Sequence, residues 1–216
     1  MDKAKIQEAI NVLRSEEHKR KFSQTVDLII NLRGLDLKKP EQQLDFYITL
    51  PHTRGRQMKV CALIGPELVE EAKACDKMVM ESEFPSFSDD KNAVKKLANA
   101  YEYFIAQANI MPKIATAFGK VFGPKRKMPN PKAGCVVPPK TALKPLVEKL
   151  QKLVRIYAKE KPIVQCMIGT EQQSDAELID NVTAIMDQII HHLPGEANNI
   201  KSAYLKLTMS KPMKIM

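Results

Sequence analysis

The sequence predicts two folded units: an α+β domain formed by both ends of the chain, and an α/β domain inserted between them. Three observations carry this. Apolar residues alternate with period two near the start of the chain and again after residue 155. Between those stretches, short continuous apolar runs alternate with helical patterns. The 216 residues suffice for two separate cores. Period-two alternation marks strands buried on one face, the habit of antiparallel sheets. Continuous apolar strands separated by helices imply a mostly parallel sheet covered on both faces, a Rossmann-like three-layer arrangement. The expected bounds are 1–54 with 155–216 for the terminal domain and 55–154 for the insert.

In chain order, residues 2–20 read as a helix with Ile6, Ala9, Ile10 and Leu13 on one face. Val26, Leu28, Ile30 and Leu32 then share one side of a strand, and Leu44, Phe46, Ile48 and Leu50 share one side of the next. In the insert, strands are expected at Val60–Ile64, Met78–Met80, Tyr103–Ala106 and Cys135–Val137. Helices are expected over about 66–75, 89–101, 110–121 and 145–154, the last with Pro145 in its first turn. Beyond residue 155, Ile163–Ile168 and Tyr204–Met209 read as half-buried strands, with Leu205, Leu207 and Met209 on one side of the second. Ser174 and Glu177 form a capping box that opens a helix running to His192, and Pro194-Gly195 ends it. Where the chain crosses between domains, Arg54, Gly55, Arg56, Val154 and Arg155 are the expected hinge, within Thr53–Arg56 and Val154–Tyr157.

Charge narrows the function. The chain has 34 Lys+Arg against 25 Asp+Glu, a net +9 and a pI near 9.3. A surplus of that size favours a polyanionic partner. No segment approaches the roughly 18 apolar residues of a membrane-spanning helix, so no membrane partner is expected. The amino terminus leads directly into an amphipathic pattern with no apolar leader core, which points to the cytoplasm.

Chemistry finds little support. Cys61, Cys75, Cys135 and Cys166 lack metal-ligand spacing and read as buried thiols. His191 and His192 diverge on a helix, so no metal and no cofactor are expected. An inserted α/β sheet suggests a nucleotide-binding enzyme as the alternative. Ile64-Gly65-Pro66-Glu67, however, lacks the glycines of a dinucleotide loop, and no P-loop, nucleophile elbow or zincin motif occurs. No catalytic residue is therefore assigned.

Cations without acidic neighbours gather in two places. One is the Gly- and Pro-rich stretch 119–140, expected to be an extended surface loop with Lys125, Arg126, Lys127 and Lys132 as a possible second RNA contact. The other is the carboxyl-terminal segment with Lys201, Lys206, Lys211 and Lys214. A third group, Lys19-Arg20-Lys21, precedes Phe22. Phe22 and Met209 either stack on sugar and base faces or pack in the core; for Phe22, core packing is the expectation.

The wording of four stretches goes further. Gly119-x-x-x-Gly123-Pro124-x-x-x-Met128-Pro129-Asn130-Pro131-Lys132-Ala133-Gly134 resembles the signature of the L-one family of ribosomal proteins, and the archaeal type in particular. Lys21-Phe22-Ser23-Gln24-Thr25-Val26-Asp27-Leu28, Leu50-Pro51-His52 and Thr208-Met209-Ser210-Lys211-Pro212 follow the same pattern in the same order, so the resemblance covers nearly the whole chain. It implies the two-domain fold, with RNA bound mainly by the terminal domain at Lys21, Phe22, Gln24, Thr25, Thr208, Met209, Ser210 and Lys211. It implies large-subunit rRNA at the mobile stalk as partner, together with exit-site tRNA and the protein's own mRNA. The roles implied are release of deacylated tRNA and repression of that mRNA, by a chain that is a monomer when free. One position departs from the pattern: Ser210 stands where the family has Gly. If that backbone requires a positive φ, the serine costs about 1 kcal/mol.

Overall fold

The computed structural model describes residues 3–15 and 20–216. They form two compact units, one from the start of the chain to Arg56 together with Lys152–Met216, the other Gln57–Gln151. Each has its own core.

The terminal unit is built on an antiparallel sheet of four strands: β1 (Thr25–Leu32), β8 (Ile163–Thr170), β9 (Ile200–Leu207) and β10 (Met213–Lys214). Their order is β10-β9-β1-β8. The alternation read in the sequence appears in burial, with Val26, Leu28, Ile30 and Leu32 pointing inward. Helices α1 (Lys3–Leu13) and α7 (Asp175–His192) supply the matching apolar stripes, Ile6, Ala9, Ile10 and Leu13 from one and Leu178, Val182, Ile185, Met186 and Ile189 from the other. The capping box at the start of α7 is formed: Ser174 Oγ accepts from Glu177 N at 3.4 Å, and Glu177 Oε2 accepts from Ser174 N at 3.2 Å. Helix α1 stops at Leu13, short of the expected residue 20; residues 16–19, including Lys19 of the third basic group, lie outside the described residues.

A second pair, β2 (Leu44–Thr49) and β7 (Leu153–Ala158), completes this unit. Strand β7 corrects the sequence reading, which carried a helix to residue 154 and a hinge through Val154 and Arg155. Helix α6 (Lys144–Lys152) passes into β7 with no loop residue and no Gly or Pro to mark the change. Val154 is paired opposite Ile48 and Arg155 opposite Tyr47. The Arg155 guanidinium lies over the rings of Tyr47 and Tyr157 (5.7 and 5.1 Å to their centroids) and bonds the Asp45 carboxylate at 2.9 Å. Burial alone would raise the Asp45 carboxyl, but hydrogen bonds from Lys159 and Arg155 hold it below the usual range. Gly55 is closely packed. It has φ +70°, and a Cβ there would lie 2.4 Å from Thr170 Oγ1 and 2.7 Å from Gln173 Oε1. The segment before it is tied to α7, His52 N donating to Asn181 Oδ1 (3.1 Å) and Gln173 Nε2 to Thr53 O (2.8 Å). Glycine at 55 thus serves both the left-handed backbone and the close packing. The chain leaves this unit after Arg56 and re-enters at Lys152.

The inserted unit holds a wholly parallel sheet of β3 (Val60–Ile64), β4 (Lys77–Met80), β5 (Tyr103–Gln107) and β6 (Val136–Val137), ordered β4-β3-β5-β6. All five residues of β3 are buried, so both faces are covered. The expected helix 89–101 is α4 (Lys91–Ala100), and a short helix the sequence reading did not expect, α3 (Phe84–Asp89), precedes it. Asp90 separates them, its Oδ1 accepting from the N–H groups of Asn92 (2.8 Å) and Ala93 (3.1 Å). Helix α2 (Val69–Ala72) is short, and α5 (Met111–Phe122) adds Phe118 and Phe122 to a core shared with Phe84 and Phe104.

These bounds set a prediction. A chain in which 57–151 is replaced by a short Gly/Ser linker retains a cooperative unfolding transition. A deletion of 55–154 also removes Gly55 and two residues of β7, and unfolds at lower denaturant by several kcal/mol or fails to fold. Urea unfolding followed by circular dichroism compares the two.

Candidate nucleic-acid interface

The chain ends meet at one edge of the terminal sheet. Strand β1 pairs antiparallel with β9, Val26 opposite Leu207, which sets Thr25 beside Thr208. Thr25 N donates to Thr208 Oγ1 at 3.2 Å, and the two threonine hydroxyls are 3.0 Å apart. Behind them Gln24 is fully buried. Its Oε1 accepts from Met209 N (3.0 Å), its Nε2 donates to Glu171 Oε2 (3.3 Å), and its own carbonyl accepts from Glu171 N (3.0 Å). Three distant segments are thereby joined by one amide. Glu171 is the partner that sequence reading missed. No local signal marks it, because it lies 147 positions from Gln24.

Strand β9 ends at Leu207, so Met209 is not a strand residue on its apolar side. Residues 207–210 turn, with Ser210 N donating to Leu207 O (3.2 Å). Ser210 is not among the positive-φ residues of the chain, so the strain considered for it is absent. Its hydroxyl instead accepts from Leu207 N at 2.8 Å and closes the turn. The turn lifts Met209 to 60% exposure, and Phe22 stands 51% exposed, which overturns its assignment to the core. Lys21 and Lys211 are exposed in the same two segments. Two bare apolar side chains, flanking cations and threonine hydroxyls on a buried amide scaffold can stack on bases or riboses and meet phosphates.

The stretch 119–140 is not the extended loop its composition suggested. Gly119–Phe122 belong to α5. Lys127 N donates to Phe122 O (2.9 Å). Pro131–Ala133 form a single 3-10 turn, Asn130 Oδ1 accepting from Lys132 N (2.9 Å), and Gly134 follows at φ +76°. That left-handed position is where glycine is required. Lys127 turns inward, its ammonium donating to the carbonyls of Ala98 and Tyr101, both at 2.6 Å, at the end of α4. Burial holds its pKa below the usual lysine value. Lys125 reaches Asn99 Oδ1, while Arg126 and Lys132 are exposed. Lys127 is therefore a helix cap, and not a contact residue.

No catalytic arrangement accompanies these features. At the carboxyl ends of β3 and β5, where such sheets bind nucleotides, Gln107 is buried, accepting from Gly65 N (2.9 Å) and donating to Glu67 Oε2 (3.0 Å). Its side chain occupies the place a phosphate cradle would need. Burial pushes the thiols of Cys61 and Cys166 up to about 12 and those of Cys75 and Cys135 up to about 11, so they are protonated and weakly nucleophilic. Among the described residues no three His, Cys, Asp or Glu side chains cluster as metal ligands, and no helix is long and apolar enough to cross a membrane.

Fold and geometry thus present a two-unit protein with a basic edge that carries exposed apolar side chains. Residues 13–211 match the model of the ribosomal protein L1p/L10e family. The chain is 37% identical over 216 residues to large ribosomal subunit protein uL1 of Pyrococcus horikoshii, covering 99% of this chain and 96% of that one. It is 38% identical over 216 residues to uL1 of Methanothermococcus thermolithotrophicus, covering 100% and 99%. With uL1 of Methanocaldococcus jannaschii the identity is 33% over 216 residues, covering 100% and 96%. The chain belongs to the ribosomal protein L1p/L10e family, in its archaeal type. It is a structural, non-enzymatic component of the large ribosomal subunit, a family for which rRNA binding is general. Its place is the cytoplasmic ribosome.

Two stability effects follow from the geometry. Ser210→Gly, which restores the family residue, removes the hydroxyl that satisfies Leu207 N and lowers unfolding free energy by about 1 kcal/mol. Lys127→Ala orphans two carbonyls and lowers it by roughly 1–3 kcal/mol. Denaturant titration measures both, and an unchanged midpoint for either removes the role given to that side chain.

Proposed function

We propose that the chain holds large-subunit rRNA at the mobile stalk through the edge formed by Lys21, Phe22, Gln24, Thr25, Thr208, Met209, Ser210 and Lys211. The observation that carries this is the exposure of Phe22 and Met209 at a sheet end whose backbone is fixed by buried Gln24. Large apolar side chains left bare on a rigid basic edge suit the faces of unstacked bases and sugars. Gln24, Thr25 and Ser210 position the edge; Phe22, Met209, Thr208 and the two lysines make the contacts.

Placed on the stalk, the protein assists release of deacylated tRNA at the exit site. The same edge represses the protein's own mRNA where that message folds into a stalk-like element. In the inserted unit Lys125, Arg126 and Lys132 form a weaker second contact, for which their exposure speaks. Lys127 has no part in it. The chain is a monomer when free of RNA.

Binding to a transcribed stalk fragment tests the edge. Met209→Ala, Thr208→Ala and Phe22→Ala each weaken it by roughly 1–3 kcal/mol with thermal unfolding near wild type. Arg126→Ala with Lys132→Ala changes it far less at matched salt. The reverse order of effects would move the main surface to the inserted unit. A leader segment of the protein's mRNA competes with the stalk fragment for wild type, and less well for Met209→Ala.

A further inference from the structure

The terminal sheet has a second face. Helices α1 and α7 bury one side, and the other carries Asp27 and Ile29 from β1, Gln165 and Met167 from β8, and Tyr204 and Lys206 from β9. Register places these in rows: Met167, Asp27 and Lys206 abreast, then Gln165, Ile29 and Tyr204. Thr25, beside Thr208, stands one step further along β1, so the face continues directly from the Phe22–Met209 edge. A depression of about 310 Å³ opens here, bounded by Asp27, Ile29, Gln165, Met167 and Lys206. That lies at the small end of the range for ligand pockets.

We propose that this depression is a nucleobase pocket, taking an unpaired base bearing an exocyclic amino group from the RNA held at the adjoining edge. The inference rests on the rRNA-binding reading. Ile29 and Met167 offer apolar surface to the flat face of a base. The Asp27 carboxylate accepts from the amino group, and the exposed Gln165 amide both donates and accepts along the same edge of the base. Lys206, whose Nζ is 3.4 Å from Thr208 O, stands between pocket and edge where the connecting phosphate would pass. Uracil has no amino group and presents a single N3–H between two carbonyl oxygens that face the carboxylate as acceptors, so it is disfavoured. A protein partner is the competing occupant. The cations Lys201 and Lys206 on β9 and Lys214 on β10 beyond it, against the carboxylate of Asp27, favour a polyanion.

The test is base-resolved chemical probing of the transcribed stalk fragment bound to the full chain, with affinity measured in parallel. Wild type protects an unpaired A, C or G. Gln165→Ala and Asp27→Asn expose that base again and weaken binding about tenfold, while nucleotides whose protection depends on Met209 stay covered. Replacing the protected base by uracil weakens wild type similarly and adds little to the loss in Asp27→Asn. Identical footprints for wild type and both variants overturn the pocket, as does a uracil variant bound at wild-type strength. If Met209→Ala leaves affinity and footprint unchanged while Gln165→Ala alters both, the edge reading fails and the pocket stands. Gln165 is exposed, so its variant remains decisive if Asp27→Asn proves unstable.

Discussion

The pairing of β1 with β9 is the constraint on which the rest depends. It brings residues 183 positions apart, Thr25 and Thr208, within hydrogen-bonding distance and closes the terminal unit around everything between them. Closing so long a loop is entropically less severe than its length suggests, because the cost grows only logarithmically. The inserted unit lowers it further by folding on a core of its own. The chain enters and leaves that insert within the loop, at residues 56–57 and 151–152, beyond the paired ends of β2 and β7.

The same pairing makes the proposed binding edge. Neither Lys21-Phe22 nor Met209-Ser210-Lys211 is a site alone, since each is a short polar segment at a strand end. Gln24 joins them by spending its amide on Met209 N and Glu171, inside the protein. An unpaired buried amide is expensive, so the three segments are held in one geometry. The exposed Phe22 and Met209 therefore lose little freedom when RNA arrives, which is the advantage of a preorganised surface.

What the sequence disclosed and what it hid divide along physical lines. Strands buried on one face were legible at β1, β2, β8 and the body of β9, because the inward set repeats every second residue. Helix α7 was legible from its capping box, whose partners lie three positions apart. Strand β7 was hidden because α6 runs into it without a breaker, and Leu153-Val154-Arg155-Ile156 satisfies either period. Met209 was read into a strand for the same reason, since alternation cannot show where pairing stops. The site was legible in its exposed members through the family wording. Its support was not, because the role of Glu171 is fixed by a tertiary neighbour far along the chain.

The loop with the most specific wording illustrates a separate point. Its cations suggested a nucleic-acid contact, yet the residues that spell the pattern have structural duties. Asn130 caps a turn and Gly134 takes the left-handed backbone after it, while Lys127, at a variable position of the pattern, ends α4. Such duties restrict residue type: few side chains other than lysine can span two carbonyls at once with a charged donor, and glycine adopts φ +76° without a steric penalty. Contacts to a sugar–phosphate backbone are less demanding, because lysine, arginine, serine or a backbone N–H can each meet a phosphate. A stretch can therefore identify a family sharply while lying apart from the surface that does the family's work. For this chain the proposed surface lies where two plainer segments meet, at the end of β1 and the turn after β9.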